Sequence, residues 1–414
     1  MNLQNENPLR RELLKIFSEA LPSVNGQRCV ADYLREHPPA GTSIRVIAIG
    51  KAAASMLAGV QSVCAERIKA ALLITKYHHL DDVISTGVPL VTIEAGHPYP
   101  DANSLLAGRQ LLDFLAQSRA EDTLLFLVSG GASALVEVLP DSVTLQQLED
   151  MNRWLLARGW PIDKMNQLRK AVSCIKGGRL ARYLGKYPVT QLMISDVPGD
   201  DPPVIGSGLL LAQPHAAGLP ETLPDWIQDM LAKAPPMPAQ GDTCFERIET
   251  ALVASNRMLR DEACRLAEGR GLVVRCNEAV TGDAAEQGQM IAAQLKDGPA
   301  GLYVWGGETV VTLPATPGRG GRCQHLALAA ARELAGCDKI ALLAAGTDGS
   351  DGPGEVAGAL IDGGSIQRGR DAGKDPGAAL LLADAGSFLH ASGDLLDTGP
   401  TGTNVMDLIL GLKY

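Results

Sequence analysis

A chain of 414 residues, 46% apolar and 20% charged, can form two or three compact units with sizeable cores, which excludes global disorder. Its 45 glycines, about 11% against a usual ~7%, follow no G-X-Y period, and aromatics make up only 4%; this excludes collagen and argues against immunoglobulin-like or propeller-like all-β folds. A net charge of −10 without a basic run argues against nucleic-acid binding, so an anionic ligand would need positive charge gathered locally.

Strand-like runs alternate with helical periods along the chain. The opening MNLQNENPLRRELLKIF is amphipathic and lacks the apolar core of a signal peptide. IRVIAIG (44–50) reads as a buried strand, followed by a helix with Met56, Leu57, Val60, Val63 and Cys64 on one face. Further strands are expected at 70–75, 90–93, 123–128 and 190–195, with helices at 102–117, 144–157 and 164–184. KAPPMPAQGD (233–242) is the best linker candidate. Beyond it, strands at 248–255, 272–276, 301–305, 309–313 and 339–345 alternate with helices at 256–269, 282–296 and 323–335. The expectation is α/β: two α/β domains with largely parallel sheets, 1–235 and 245–414, with the option that the last segment packs back on the first domain. No stretch approaches the roughly 20 apolar residues of a membrane span, and the eight cysteines show no C-x-x-C or zinc spacing. Reduced thiols and a cytoplasmic location are therefore expected, with no membrane partner.

The chemistry-bearing residues cluster where glycines meet element ends. Gly50-Lys51 closes a strand and opens a helix, whose positive dipole end plus a lysine suits a phosphate or carboxylate as well as it suits an ordinary turn. It is not a Walker A sequence. Ser129-Gly130-Gly131-Ala132-Ser133 offers close backbone approach and two hydroxyls, but Leu135 stands where a hydrolase elbow needs its second glycine. Lys176-Gly177-Gly178-Arg179 reads either as a helix stop with basic residues or as an anion site. The acids Asp196, Asp200 and Asp201 after a strand suit Mg²⁺ or general-base work, or Asx turns. Gly306-Gly307-Glu308 reads as a tight hairpin-like turn, and Arg319-Gly320-Gly321-Arg322 as a second anion cradle ahead of a helix. Asp348 and Asp351 lie at a strand's carboxyl end; an EF-hand is excluded because its twelfth position is Ala359. His78 and His79 read as loop residues, and His97 either faces a pocket or is an ordinary turn residue.

Taken together, IGKAAASM, EAGHPYPD, VSGGASAL, IKGGRLAR, ISDVPGDDPPVIGSG, GGETVV, GRGGR-x-Q, GTDGSDGP and GPTGTNVMDL occur in an order and spacing that resembles the class II glycerate 2-kinase family over roughly residues 44–410. The resemblance implies a Rossmann-like N-terminal domain, a smaller MOFRL-type C-terminal domain and an active site in the cleft between them. It implies transfer of a phosphoryl group from ATP, with Mg²⁺, to the small molecule D-glycerate, giving 2-phosphoglycerate. By position in these motifs, Lys51 and Arg322 match the family's catalytic lysine and arginine. Gly50, Ser129, Gly130, Gly131, Ser133, Lys176, Arg179, Glu308, Arg319, Gly320, Gly321, Gln324, Thr347, Thr401 and Asn404 would bind substrate or nucleotide, and Asp196, Asp200, Asp348 and Asp351 are the candidate Mg²⁺ ligands or base. Cys323 and His325 depart from the family's GGRNQE run. A homodimer is left open. Two alternatives stand beside the kinase. Some family members are labelled hydroxypyruvate reductase, but an NAD(P)H enzyme wants a G-x-G-x-x-G turn where this chain has Gly50-Lys51-Ala52-Ala53-Ala54. A catalytically inactive binding or sensor protein on the same fold is the other.

Overall fold

In a computed structural model the described residues are 7–80, 87, 89–160, 162–213, 223–277 and 279–414. They form two compact units: Gly26–Val253, and residues up to Asn25 together with Ala254–Tyr414. The division differs from the expected 1–235 and 245–414. The proline-rich segment expected to be a linker is packed onto the first of these units: the Pro235 and Pro236 carbonyls accept hydrogen bonds from Arg179 (2.6 Å) and Arg182 (2.8 Å), and Met237 abuts Gly177.

The Gly26–Val253 unit is built on strands β1 (Ser43–Ile49), β2 (Ile68–Lys76), β3 (Leu90–Ala95), β4 (Asp122–Val128), β5 (Val189–Ile194) and β6 (Ile248–Ala254), in the order β3-β2-β1-β4-β5-β6. The pairs β1/β2, β2/β3, β1/β4 and β4/β5 are parallel. β4 is buried along its whole length, as expected of a continuous apolar run covered by helices on both faces. One face packs Ile47, Leu72 and Phe126 under Leu111 and Phe114 of the helix Ala102–Ala116, which opens with a capping box between Asp101 and Ser104. From β1 the chain winds outward to β3 and then returns to β4 on the other side. β1 and β4 therefore flank a topological switch point, where open α/β sheets leave a crevice at their carboxyl ends.

The other unit carries β7 (Val274–Cys276), β8 (Val280–Asp283), β9 (Gly301–Val310), β10 (Ile340–Gly346), β11 (Gly358–Asp362), β12 (Leu395–Leu396) and β13 (Asp407–Lys413). The order is β12-β11-β10-β13-β9-β7, with β8 also on β9. Here the largely parallel expectation fails. β10/β11, β10/β13, β11/β12 and β13/β9 are antiparallel, and only β7 and β8 run parallel to β9. Apolar runs report burial and are silent on strand direction. The expected hairpin at Gly306-Gly307-Glu308 is also corrected: β9 runs straight through it, because Gly306 and Gly307 pair with Leu408 and Asp407 of β13. A side chain at Gly306 would overlap the Asn256 carboxamide, so the glycine serves a close approach and not a turn.

The last strand sits at the centre of this sheet and does not cross to the other unit, whereas the first helix, Pro8–Ala20, belongs here. Its Leu13, Ile16 and Phe17 are buried, and Arg10 meets Asp362 at 3.2 Å and Asp394 at 2.5 Å. Cys264 and Cys276 form a disulfide, against the expectation of eight reduced thiols; the helix Asn256–Glu268 packs on β7 and brings them together. Among the described residues no helix is long and apolar enough to cross a membrane.

Candidate active site

The glycine loops after β1 and β4 are tied into one structure at the switch point. The Ser129 N–H donates to the Ile49 carbonyl at 3.0 Å, the Lys51 N–H to the Gly130 carbonyl at 2.9 Å, and the Ala52 N–H to Ser129 Oγ at 3.0 Å. Gly50 has φ +131°, and a Cβ there would overlap Ser129 Oγ and lie 2.6 Å from its carbonyl oxygen. Only glycine fits. Gly131, at φ +86°, is flanked on one side: a Cβ would lie 3.3 Å from both Lys51 Cγ and His97 Nε2. The structure thus brings Lys51, Ser129, Gly130 and Gly131 together and adds His97 of the EAGHPYPD motif, for which the sequence offers a pocket-facing or a turn position. Ser133 Oγ is 2.6 Å from Ser207 Oγ, joining this loop to the GSG turn at 206–208.

Asp196 is half-buried in the loop after β5. Asp200 holds a left-handed φ of +55°, and its Oδ1 is buried without a hydrogen-bond partner. Both features are unusual for a non-glycine residue and mark a constrained, polar position.

Lys176 and Arg179 prove to have internal partners. Lys176 is buried in an ion pair with Glu137, which also accepts from Ser173 Oγ at 2.5 Å. Arg179 donates to four main-chain carbonyls, those of Pro235, Lys170, Lys176 and Ala171, at 2.6 to 3.3 Å. They bind the chain to itself, which corrects their reading as ligand contacts.

In the other unit, Arg322 opens the helix Arg322–Glu333. Its Nε and Nη2 donate to the two Asp407 oxygens at 2.7 and 2.8 Å, and Nη1 lies 2.8 Å from Glu308 Oε1. Burial works against the Arg322 charge, but the Asp407 and Glu308 carboxylates outweigh it and raise the pKa. Arg322, Glu308, Gly320, Gly321 and His325 line a cavity of about 400 Å³ whose other walls include Val310, Val311 and Leu313. Burial lowers the His325 pKa, with the Asp283 charge acting in the opposite sense. Cys323 is buried, which raises its thiol well above the ordinary value.

The expected metal acids of this unit, Asp351 and Asp348, both accept hydrogen bonds within the chain. Asp351 accepts from the Cys323 and Gln324 N–H groups at 3.0 and 2.8 Å and from Gln324 Nε2 at 3.0 Å, so it caps the Arg322 helix from a distant loop, with Gln324 as its partner. Burial leads the causes that raise its pKa to about 6, despite those hydrogen bonds. Asp348 Oδ1 accepts from the Ser350 N–H and hydroxyl at 3.0 and 2.9 Å. Among the described residues no group of three or more His, Cys, Asp or Glu side chains is gathered to hold a metal.

Thr347 is buried and knits loops together, donating to the Met406 carbonyl at 2.6 Å and accepting from the Val405 N–H at 2.9 Å. Thr401 donates to the Thr347 carbonyl, and Asn404 is buried nearby in sequence. Arg319 is exposed, its N–H donating to Asp384 at 2.7 Å. Asp407, not singled out in the sequence, ends the GPTGTNVMD motif. A lone acid opening an apolar strand (DLILGL) was the signal that it needed a buried cation.

Residues 12–220 match a family described as a domain of unknown function, DUF4147, and residues 301–407 match the MOFRL family. The chain is 35% identical to the D-glycerate 2-kinase of Thermotoga maritima, over 98% of each chain. An Agrobacterium vitis relative, 35% identical over 98% of this chain and 94% of its own, is named for hydroxypyruvate reduction instead. The crystal structure of a glycerate kinase from Thermotoga maritima superposes with a TM-score of 0.85 at 33% identity, covering 98% of this chain and 99% of that one.

Proposed function

The chain belongs to the class II glycerate 2-kinase family, and from that premise we propose that it transfers the γ-phosphoryl group of ATP, with Mg²⁺, to the 2-hydroxyl of D-glycerate. The products are 2-phosphoglycerate and ADP. A cytoplasmic location belongs to the same reading.

The observation that carries it is the Gly50-Lys51 turn locked onto the Ser129–Gly131 loop at the switch point. A dinucleotide enzyme uses that turn to pass glycine backbone against a pyrophosphate. Here Ser129 fills the space above Gly50, and a lysine takes the position instead. Phosphoryl transfer asks little covalent chemistry of a protein and much positioning and charge stabilisation. The hydroxyl oxygen of glycerate bonds to the γ-phosphorus as the bridging oxygen leaves with ADP. Lys51 and Arg322 are the groups that stabilise the charge on the transferring phosphoryl oxygens. Asp196 is the candidate to take the hydroxyl proton. The apolar walls at Val310, Val311 and Leu313 suit the uncharged nucleoside end of the donor, since glycerate is too small and polar to need them.

Mg²⁺ is commonly held by one or two carboxylates together with substrate phosphates. The residues fit that mode: Asp200, in the loop after β5, offers a buried oxygen without a partner. When bound, the ion supplies charge neutralisation of the phosphates.

The test is to incubate the purified protein with D-glycerate, ATP and Mg²⁺, and separately with hydroxypyruvate and NADPH. Glycerate-dependent ADP formation is expected. NADPH oxidation without it would establish the reductase, and neither activity would leave a binding protein; both outcomes overturn the proposal.

A further inference from the structure

Arg322 is held by two acids in different surroundings. Asp407 grips Nε and Nη2 as a two-point fork with its side chain 4% exposed, whereas Glu308 meets Nη1 from the cavity wall with its side chain 42% exposed. The buried acid is itself fixed. Its main chain pairs with Gly346 of β10 on one side and Gly307 of β9 on the other. Asn256 Nδ2 donates to the carbonyls of Val405 and Asp407, at 2.8 Å each. A guanidinium matched at two points by a carboxylate is fixed in its plane as well as in its place, which a single-point contact cannot do. The exposed Glu308 contact is one that an incoming anion can replace, because an ion pair in water is weakly held.

We propose that Asp407 is the positioning residue for Arg322, orienting its guanidinium so that the Nη1 side presents to the phosphoryl group being transferred. The inference rests on the phosphotransfer reading above, in which Arg322 contacts the reacting group. Asp407 touches neither substrate nor nucleotide and acts through the arginine alone.

The test uses the full-length protein and the variants Asp407→Asn, Arg322→Lys and the double variant, with kcat and both KM values measured at saturating Mg²⁺. Asp407→Asn leaves the arginine charged but removes the ionised fork, so kcat is expected to fall roughly 100-fold, with the glycerate KM changed far less. Because the aspartate acts only through Arg322, the double variant should be no slower than Arg322→Lys alone. Losses that multiply in the double variant would overturn the positioning role. Should Asp407→Asn fail to fold, Asp407→Glu takes its place in the same comparison, since it keeps the carboxylate but shifts it by one methylene out of the fork. A loss of roughly 100-fold supports the proposal, and near-normal turnover overturns it. A wild-type protein without glycerate-dependent turnover would overturn the phosphotransfer reading itself, an outcome separate from either result above.

Discussion

Ser129 stands in the space that any side chain at Gly50 would need, and the contact locks together the loops after two neighbouring parallel strands. A Gly50→Ala substitution must displace the Ser129 backbone while also adopting φ +131°, a conformation that L residues rarely take. The expected cost is at least about 2 kcal/mol. Urea unfolding would show it as a lower midpoint at unchanged slope. An unchanged midpoint would mean that the two loops are not coupled as described.

Lys51 emerges from the same turn, half-buried, with its side-chain stem against Gly131. Lys51→Ala should lower kcat roughly 100- to 1,000-fold, the range seen for removal of one charge-stabilising donor. The melting temperature should stay close to wild type. Turnover within a few-fold of normal would remove Lys51 from the mechanism.

Lys176 and Arg179 should behave in the opposite way. Lys176→Met leaves the Glu137 carboxylate buried without its cation, a change that typically costs about 3–5 kcal/mol. Arg179→Met strips the donors from four carbonyls, including that of Pro235. Both variants should melt earlier, while the KM values of the folded fraction stay as in wild type. A raised KM without lost stability would restore them to the ligand site.

Asp351 gives a pH signature. Its pKa is about 6 in the folded protein against an ordinary 3.8, so between these values the folded state holds a proton that the unfolded state releases. The stability this group contributes is therefore fully present below about pH 4 and is lost as the pH rises through 6. Asp351→Asn abolishes the titration but keeps an acceptor for the helix N–H groups. The wild type should gain stability relative to this variant as the pH falls from 7 to 4. A difference that stays flat across that range contradicts the assignment.

Much of the scaffold could be read from the chain. Continuous apolar runs marked β1, β4 and β10, and the helices expected at 102–117 and 256–269 start where the structure starts them. What escaped was decided by partners far along the chain. The glycine pair at 306–307 looks like a turn until β13, about a hundred residues later, pairs with it. Arg10 looks like a surface residue until Asp362 and Asp394 enclose it, and that ion pair carries the first helix into the second unit. The candidate site shows the same division. The Gly50-Lys51 and Ser129–Gly131 loops were legible because glycine at a strand end has a local meaning. Asp407 and the internal duties of Lys176 and Arg179 were not, because each depends on what tertiary packing places beside it.

The central claim is tested most directly by following one reaction of the wild-type protein with D-glycerate, ATP and Mg²⁺ by phosphorus NMR. A resonance of 2-phosphoglycerate growing in step with ADP is the result this account expects. A sample that forms no phosphoester of glycerate, while consuming NADPH when given hydroxypyruvate, would contradict it.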